Sequence, residues 1–132
     1  MSMKIKYFSL QTFTDERGDL TPIEFSEHLP FKPERIYFLS NVTGVRGGHA
    51  HKQEQEVFVC ISGSFTAMAH DGSAWQTFEM KKSDGLYTSA LVWHEFKNFS
   101  ADAIMLAISS TPYQGKEGYI MDFDEFRKIA ST

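Results

Sequence analysis

The sequence predicts an all-β sandwich or barrel that ends in a short helix, and three observations support this fold class. Short apolar stretches rich in Ile, Val, Phe and Tyr recur along the chain, and these residue types favour strands. Turn-forming pairs such as Arg17-Gly18 and Asp71-Gly72 separate the stretches. With 132 residues, of which 42% are hydrophobic, the chain can bury a core, and we expect one domain over residues 1–132.

Strands are predicted at 4–8, 20–25, 35–41, 57–61, 65–70, 75–80, 86–89 and 103–109. The stretch 57–61 is apolar at every position instead of alternating, which predicts a strand buried on both faces. Asp71-Gly72 predicts a hairpin between the two stretches that flank it. Only the C-terminal segment has a helical pattern, because Asp122 suits an N-cap and Phe123 and Phe126 begin an apolar stripe.

The composition argues against several classes of function. Lys and Arg number 13 against 17 Asp and Glu, and this net charge of −4 argues against a nucleic-acid partner. The longest aliphatic run, 103–108, is far shorter than the roughly 20 residues that cross a bilayer, so we expect no membrane partner. The N-terminus has no signal-peptide pattern. The single cysteine, Cys60, excludes an intrachain disulfide and suits the cytoplasm, where we expect the protein to act.

Two histidines, His49 and His51, are the clearest candidates for chemistry. Residues two apart in an extended segment point the same way, so both imidazoles lie on one face, which is either solvent or the interior. The segment 44–63, with Glu56 five residues after His51, resembles the first motif of the cupins. A weaker match to the second cupin motif centres on His94. The resemblance implies a small jelly-roll barrel, also called a double-stranded β-helix, with these side chains facing its lumen.

Three functions fit a cupin with this motif. Metal cupins bind Fe, Mn, Ni or Zn at positions that match His49, His51, Glu56 and His94, and mixed imidazole and carboxylate ligands suit these ions. Metal-free cupins that act on nucleotide sugars use the same histidines as bases. A third alternative is a cupin that binds a nucleotide sugar without catalysis.

Segments outside the cupin motifs resemble one smaller family. They are, in order, 15–24, 30–31, 35–38, 46–52, 85–87 and 92–95. The first resembles the segment with which nucleotide-sugar cupins bind the nucleotide, and the whole series matches the dTDP-4-keto-6-deoxyglucose 3,4-ketoisomerases over about residues 7–126. The resemblance implies an isomerase that acts on a dTDP-linked sugar without a metal or organic cofactor, supplying 3-keto sugars for amino-sugar synthesis.

That reaction moves a keto group from C4 to C3 through an enediol, so a proton leaves C3 and another is returned at C4. Histidine has an ordinary pKa of about 6.5, so His49 and His51 are expected to act as base and acid. The family resemblance and the place of His49 beside Arg46 in the sequence favour His49 as the base. Tyr37 is expected to donate a hydrogen bond to the enolate oxygen, where negative charge develops.

The residues expected to bind substrate are Arg17, Glu24, Arg46, Trp93 and His94. Arg17 and Arg46 can make planar, bidentate contacts to the pyrophosphate. Glu24 suits the thymine N–H, and an aromatic ring such as that of Trp93 can stack on the base.

We also expect a homodimer. An edge strand of a sheet needs cover, because it presents unpaired backbone groups. Aromatic residues make up 14% of the chain, which leaves some for a pocket or a subunit interface.

Overall fold

A computed structural model describes residues 3–131 as two five-stranded antiparallel sheets and a small hairpin. The strands in chain order are β1 (Ile5–Ser9), β2 (Phe13–Asp15), β3 (Gly18–Leu20), β4 (Arg35–Ser40), β5 (Arg46–His51), β6 (Glu56–Ser62), β7 (Ser64–His70), β8 (Trp75–Lys81), β9 (Asp84–Thr88), β10 (Trp93–Lys97), β11 (Ile104–Ser109) and β12 (Tyr119–Ile120). The helices are α1 (Phe25–His28) and α2 (Phe123–Ala130), and a 3₁₀ turn spans Lys116–Gly118. Neither of these two helices has the length and apolarity that a membrane crossing requires.

The two large sheets pack around a shared apolar core. Their strand orders are β1-β9-β6-β11-β4 and β12-β5-β10-β7-β8, while β2 and β3 form the separate hairpin. The largest core cluster joins Phe58 and Leu86 of the first sheet to Phe65 and Phe96 of the second. The prediction of an all-β jelly roll with a short C-terminal helix is confirmed, with the predicted barrel realised as two facing sheets that are not closed.

Most of the predicted strands are present with ends shifted by two residues at most, and the hairpin at Asp71-Gly72 joins β7 to β8. The exception is the predicted strand 20–25, because β3 ends at Leu20 and the chain enters α1 at Phe25. Pro22 has no N–H to donate to a strand ladder, which accounts for the break. The prediction that only the C-terminal segment is helical is therefore wrong for α1.

Strand β6 lies in the middle of the first sheet, between β9 and β11. Its residues Val57–Cys60 have no exposed surface, so the prediction of burial on both faces is correct for them. The prediction is wrong for Ile61, which is 40% exposed. Glu56 begins this strand and is also buried, so its carboxylate lies in the protein interior.

Helix α2 covers the outer side of the second sheet. The Asp122 carboxylate accepts hydrogen bonds from the N–H groups of Asp124 and Glu125, as expected for an N-cap. Phe126 is fully buried against Ala50 of β5 and Trp93 of β10. Because α2 fills this outer side, the opposite side of β5 and β10 is the one that can hold a cavity.

Two features of the β5–β10 pair set the positions of the histidines. His94 lies directly across from His49, and a bulge follows between His94 and Glu95. Gly47 has a φ of +81°, and a Cβ there would lie 2.8 Å from the His94 carbonyl oxygen. Only glycine combines this backbone conformation with so close an approach, so Gly47 allows β5 to lie close against β10.

Candidate active site

A cavity of about 400 Å³ opens between the two sheets. The inward side chains of β4, β5 and β10 line it, together with Met105 of β11. Tyr113 and Tyr119 from the C-terminal segment close one side. Its walls combine apolar surface with a few polar groups that converge on one region, which is typical of a small-molecule site.

Three imidazoles form the polar centre of the cavity. The ring centroids of His49 lie 4.9 Å from those of both His51 and His94, and the latter two lie 5.4 Å apart. His51 and His94 are buried, while His49 is half-buried and stacks on the Tyr119 ring at 4.4 Å. The alternation of β5 puts His49 and His51 on the same side of the strand, as the sequence predicts.

Glu56 connects the histidines to Tyr37. The Tyr37 hydroxyl donates a hydrogen bond of 2.7 Å to Oε2 of Glu56. The Oε1 atom of Glu56 lies 2.8 Å from Nε2 of His51 and 3.8 Å from Nε2 of His94. Burial acts to raise the pKa of Glu56, but His51, His94 and the Tyr37 hydroxyl together hold this pKa below its ordinary value. The carboxylate therefore stays ionised and can stabilise a protonated His51.

Burial determines the charge state of the other two histidines. It lowers the pKa of His94 to about 3, against the opposing effect of the Glu56 charge. Burial, together with the neighbouring His51, lowers the pKa of His49 to about 4. Burial and the Glu56 charge raise the pKa of Tyr37, so its hydroxyl keeps its proton. At neutral pH His49 and His94 are thus neutral imidazoles near the Glu56 carboxylate.

A second buried carboxylate, that of Glu54, binds the guanidinium of Arg35 in the cavity wall. Its Oε2 accepts a hydrogen bond of 3.1 Å from Arg35, and its Oε1 accepts one of 3.0 Å from the Thr111 hydroxyl. Oε1 also lies 3.8 Å from Nδ1 of His51. The Arg35 guanidinium lies 5.4 Å from the Tyr37 ring centroid and 5.8 Å from that of Tyr113.

Five of the residues singled out from the sequence line this cavity: Tyr37, Arg46, His49, His51 and His94. Arg46 begins β5, pairs with Phe96 of β10 and is exposed at the cavity rim. The cavity therefore has a cation at its rim and groups able to transfer protons in its interior.

Three other predicted residues lie outside the cavity of this chain. Trp93 is next to His94 on β10, so strand alternation turns it to the other side of the sheet, where it packs under α2 and donates a 2.9 Å hydrogen bond to Glu95. The interpretation of Trp93 as a stacking platform is corrected accordingly. Arg17 is at the exposed turn between β2 and β3 and pairs with Asp15, and Glu24 is exposed at the start of α1.

Sequence reasoning missed several residues of the cavity. Arg35, Tyr113 and Tyr119 received no role, and Glu56 appeared only as a ligand in the metal alternative. Glu54 and Glu56 are two residues apart in a polar turn that enters a fully apolar strand. Two carboxylates just before a buried strand could have indicated a polar site, because a charge that enters the protein interior needs hydrogen-bonding or charged partners there.

A histidine-lined cavity between the sheets of a jelly roll is the architecture of a cupin. Comparison with known proteins gives the family within that class. The chain belongs to the FdtA family (WxcM-like, C-terminal), whose model matches residues 3–131. The family resemblance stated from the sequence is thereby confirmed.

Individual relatives agree with this assignment. A TDP-4-oxo-6-deoxy-alpha-D-glucose-3,4-oxoisomerase from Aneurinibacillus thermoaerophilus is 35% identical over 129 residues, covering 96% of this chain and 92% of the relative. A 3,4-ketoisomerase from Helicobacter canadensis superposes with a TM-score of 0.90 at 30% identity, covering 99% of this chain and 100% of the other. The 3,4-ketoisomerase QdtA from Thermoanaerobacterium thermosaccharolyticum, solved in complex with TDP, has a TM-score of 0.89 at 29% identity, with 99% and 97% coverage.

Proposed function

We propose that this chain is a sugar-nucleotide 3,4-ketoisomerase that moves the keto group of dTDP-4-keto-6-deoxyglucose from C4 to C3. One observation carries the proposal most directly. His51 contacts the Glu56 carboxylate inside a cavity that also holds two neutral imidazoles and opens beside Arg46. Relatives that match nearly the whole chain are named as 3,4-ketoisomerases, and one of them has been solved as a histidine-to-asparagine variant with TDP-4-keto-6-deoxyglucose.

His51 is the residue to which we assign removal of the C3 proton. When Glu56 is ionised, Nε2 of His51 carries the proton that faces Oε1, and Nδ1 keeps its lone pair. The nearby carboxylate stabilises the imidazolium that forms, as in other histidine–carboxylate pairs. His49 was favoured from the sequence, but burial holds its pKa at about 4, below the ordinary value for histidine, and its stacking on Tyr119 suits it to shape the cavity.

Arg46 is proposed to hold the pyrophosphate. It is the exposed cation on the cavity rim, and a guanidinium makes bidentate contacts to phosphate oxygens. His94 is proposed to contact the sugar, because it lies deepest among the histidines and is 2% exposed. This places the charged end of the ligand at the rim and the reacting carbons at the imidazoles.

A second candidate function is metal-dependent, and one observation favours it. His49, His51 and His94 each offer a ligand atom, and these atoms lie within 4.8 Å of one another. With Glu56 they form a set of donors that suits Fe, Mn, Ni or Zn, so the residues fit such an ion. A bound ion would supply Lewis acidity toward a substrate oxygen.

One experiment tests both functions. Protein freed of metal by chelation is incubated in heavy water with dTDP-4-keto-6-deoxyglucose, and the sugar protons are followed by NMR. We expect a 3-keto product with deuterium at the carbon that receives the returned proton, at the same rate before and after chelation. Loss of turnover on chelation, restored by one of these ions, would support the metal-dependent function. Tight binding of the nucleotide sugar with no exchange or product would make the chain a binding protein only.

We propose further that the chain works as a homodimer. Strand β4 is the edge of the first sheet, and its outward residues Ile36 and Phe38 are 62% and 67% exposed. Exposed apolar side chains on a sheet edge are typical of a surface that a second chain covers. Arg17 and Glu24 remain proposed ligands of the nucleotide, reached across such a dimer, since neither lines the cavity of its own chain. Sedimentation velocity should give a dimer that Phe38→Asp converts to a monomer.

A further inference from the structure

The enediolate intermediate of the proposed reaction needs a hydrogen-bond donor that Tyr37 does not supply. Negative charge develops on a sugar oxygen when the C3 proton leaves, and a fixed donor at that oxygen lowers the barrier. The Tyr37 hydroxyl has one proton and donates it to Glu56 at 2.7 Å. Tyr37 therefore acts on the Glu56 carboxylate, and another group has to meet the enediolate oxygen.

Arg35 has a donor group with no partner in the protein. Among residues 3–131, the buried side-chain polar atoms without an aligned hydrogen-bond partner are Nη1 of Arg35 and Oε1 of Glu56, and the latter still has its 2.8 Å ion-pair contact with Nε2 of His51. Nη1 is the donor of the two, and Arg35 lines the cavity. A buried donor without a partner is costly, so a site that retains one is ready to receive an acceptor from a ligand.

We infer that Nη1 of Arg35 donates to the sugar oxygen that becomes negative in the enediolate, which makes Arg35 a catalytic residue. The inference rests on the proposed ketoisomerase function and adds a group to its site. The ring of Tyr113, which is 68% exposed, lies 5.8 Å from the Arg35 guanidinium at the cavity wall.

The chemical step balances without any added reagent. His51 takes the proton from C3, the C3–H electron pair forms a C3–C4 double bond, and the C4 carbonyl pair moves onto O4. The negative charge on O4 is met by Nη1 of Arg35. A proton then passes from O3 to O4 and the proton on His51 exchanges with solvent. The O3 electrons form the C3 carbonyl, and C4 takes a proton from the protonated His51. One C–H bond is broken and one is formed, and no oxidant is consumed.

Charge pairing distinguishes Arg35 from Arg46. Nη2 of Arg35 is bound to the buried Glu54 carboxylate at 3.1 Å, so the pair has no net charge to attract a pyrophosphate. Arg46 is exposed, and no acidic partner lies within ion-pair distance of it in the described part of the chain. Arg35, whose charge is neutralised by Glu54, suits an oxygen that is charged only during the reaction. Arg46, whose charge is not neutralised, suits the permanent charge of the phosphates.

The test is to compare Arg35→Gln with wild type at saturating dTDP-4-keto-6-deoxyglucose in heavy water. We expect turnover and deuterium exchange at C3 to fall together by about 10²- to 10³-fold, the loss typical of one oxyanion donor. The Kd for dTDP should stay within about threefold of wild type. The exposed Arg127 of α2 provides a matched control, because Arg127→Gln removes the same charge far from the cavity.

A further variant protects the test from a folding defect. Arg35→Gln leaves the buried Glu54 carboxylate without its partner, so the double variant Arg35→Gln/Glu54→Gln, which has no unpaired charge, is measured beside it. The double variant should lose exchange as Arg35→Gln does, with a far-UV CD spectrum close to wild type. Recovery of near-wild-type exchange in the double variant would overturn the inference, because the loss in Arg35→Gln would then come from the unpaired Glu54 charge and not from the missing donor.

The remaining outcomes of this comparison also test the Arg35 assignment. Weakening of dTDP binding by tenfold or more with normal exchange at saturation would make Arg35 a phosphate ligand and overturn its catalytic role. An active wild type with an unimpaired Arg35→Gln would overturn the Arg35 assignment alone. A wild-type chain that neither exchanges nor converts the sugar would overturn the proposed function, and the Arg35 assignment with it.

Discussion

The cavity and the β2–β3 hairpin were both expected to bind the same ligand, yet they differ in almost every physical respect. In the cavity, His51 and Glu56 are buried, Tyr37 is partly buried, and all three are held by contacts of 2.7–2.8 Å. On the hairpin, the Arg17 side chain is 83% exposed, and its ion-pair partner, Asp15, is close to it in the sequence. Charges in the cavity are therefore fixed and poorly screened, whereas those on the hairpin are mobile and weakened by solvent.

This difference separates catalysis from ligand capture. A catalytic group has to be held in place before the substrate arrives, which requires burial and several partners. A group that only attracts an anion can be exposed, because its contribution is electrostatic and needs little order. The variants below test whether the two regions divide the work in this way.

The largest effect is expected for His51→Asn. Asparagine is polar and smaller than imidazole, so it fits the cavity without adding a charge, but it accepts no proton near neutral pH. Turnover should fall by about 10²- to 10⁴-fold, the usual contribution of a general base, while dTDP binding and the far-UV CD spectrum stay close to wild type. Exchange of the C3 hydrogen in heavy water should disappear as well.

His49→Asn is the matched control for His51→Asn, because it changes the neighbouring imidazole of the same strand. If His49 shapes the cavity without removing the proton, this variant keeps measurable C3 exchange even where product formation falls. Abolished exchange in His49→Asn with normal exchange in His51→Asn would reverse the two assignments. Near-normal turnover in both variants would show that the histidine pair is not the catalytic machinery.

The next effect compares the two regions directly. Arg46→Ala should weaken dTDP binding by about ten- to a hundredfold, because a charge-assisted hydrogen bond contributes roughly 1.5–3 kcal/mol. Arg17→Ala should weaken it less, since its guanidinium is solvated and already paired with Asp15. Titration calorimetry with dTDP measures both affinities. A loss in Arg17→Ala as large as that in Arg46→Ala would place the main phosphate site on the hairpin.

The same contrast explains how far the sequence could predict the site. Spacing along a strand fixes which side chains share a face, so the convergence of His49 and His51 and the N-cap at Asp122 followed from local rules. The contacts of Glu56 with Tyr37 and His51 depend on how β4, β5 and β6 lie across two sheets. Local patterns do not specify that packing, and Trp93 was misjudged because the side of β10 that α2 covers is a tertiary property.

An intermediate effect is expected for the pH dependence of stability, through His94. Its folded-state pKa of about 3 is below the ordinary value of about 6.5, so the unfolded chain binds the proton more readily. The contribution of His94 to stability is complete above about pH 6.5 and is lost as the pH falls from there toward 3. Between pH 7 and pH 5 the loss is about 2 kcal/mol.

Urea unfolding at pH 7 and pH 5 measures this loss, and His94→Gln serves as the comparison because glutamine does not titrate. The wild type should lose about 2 kcal/mol more than the variant between the two pH values. An identical pH dependence in both proteins would mean that the pKa of His94 in the folded chain is close to its value in the unfolded chain. The lowering of this pKa by burial would then be wrong.

The smallest effect is expected on the other side of the same strand. Trp93 adjoins His94 in sequence but packs under α2, and its indole N–H donates to Glu95 at 2.9 Å. Trp93→Phe keeps an aromatic ring against Phe126 and removes that hydrogen bond, so the free energy of unfolding should fall by about 1 kcal/mol. The Kd for dTDP should change by less than about twofold, because no atom of Trp93 lines the cavity. Thermal unfolding and dTDP titration on one preparation measure both quantities. A several-fold loss of dTDP affinity with unchanged stability would return Trp93 to the binding site, and the division of β10 into a cavity side and a helix side would fail.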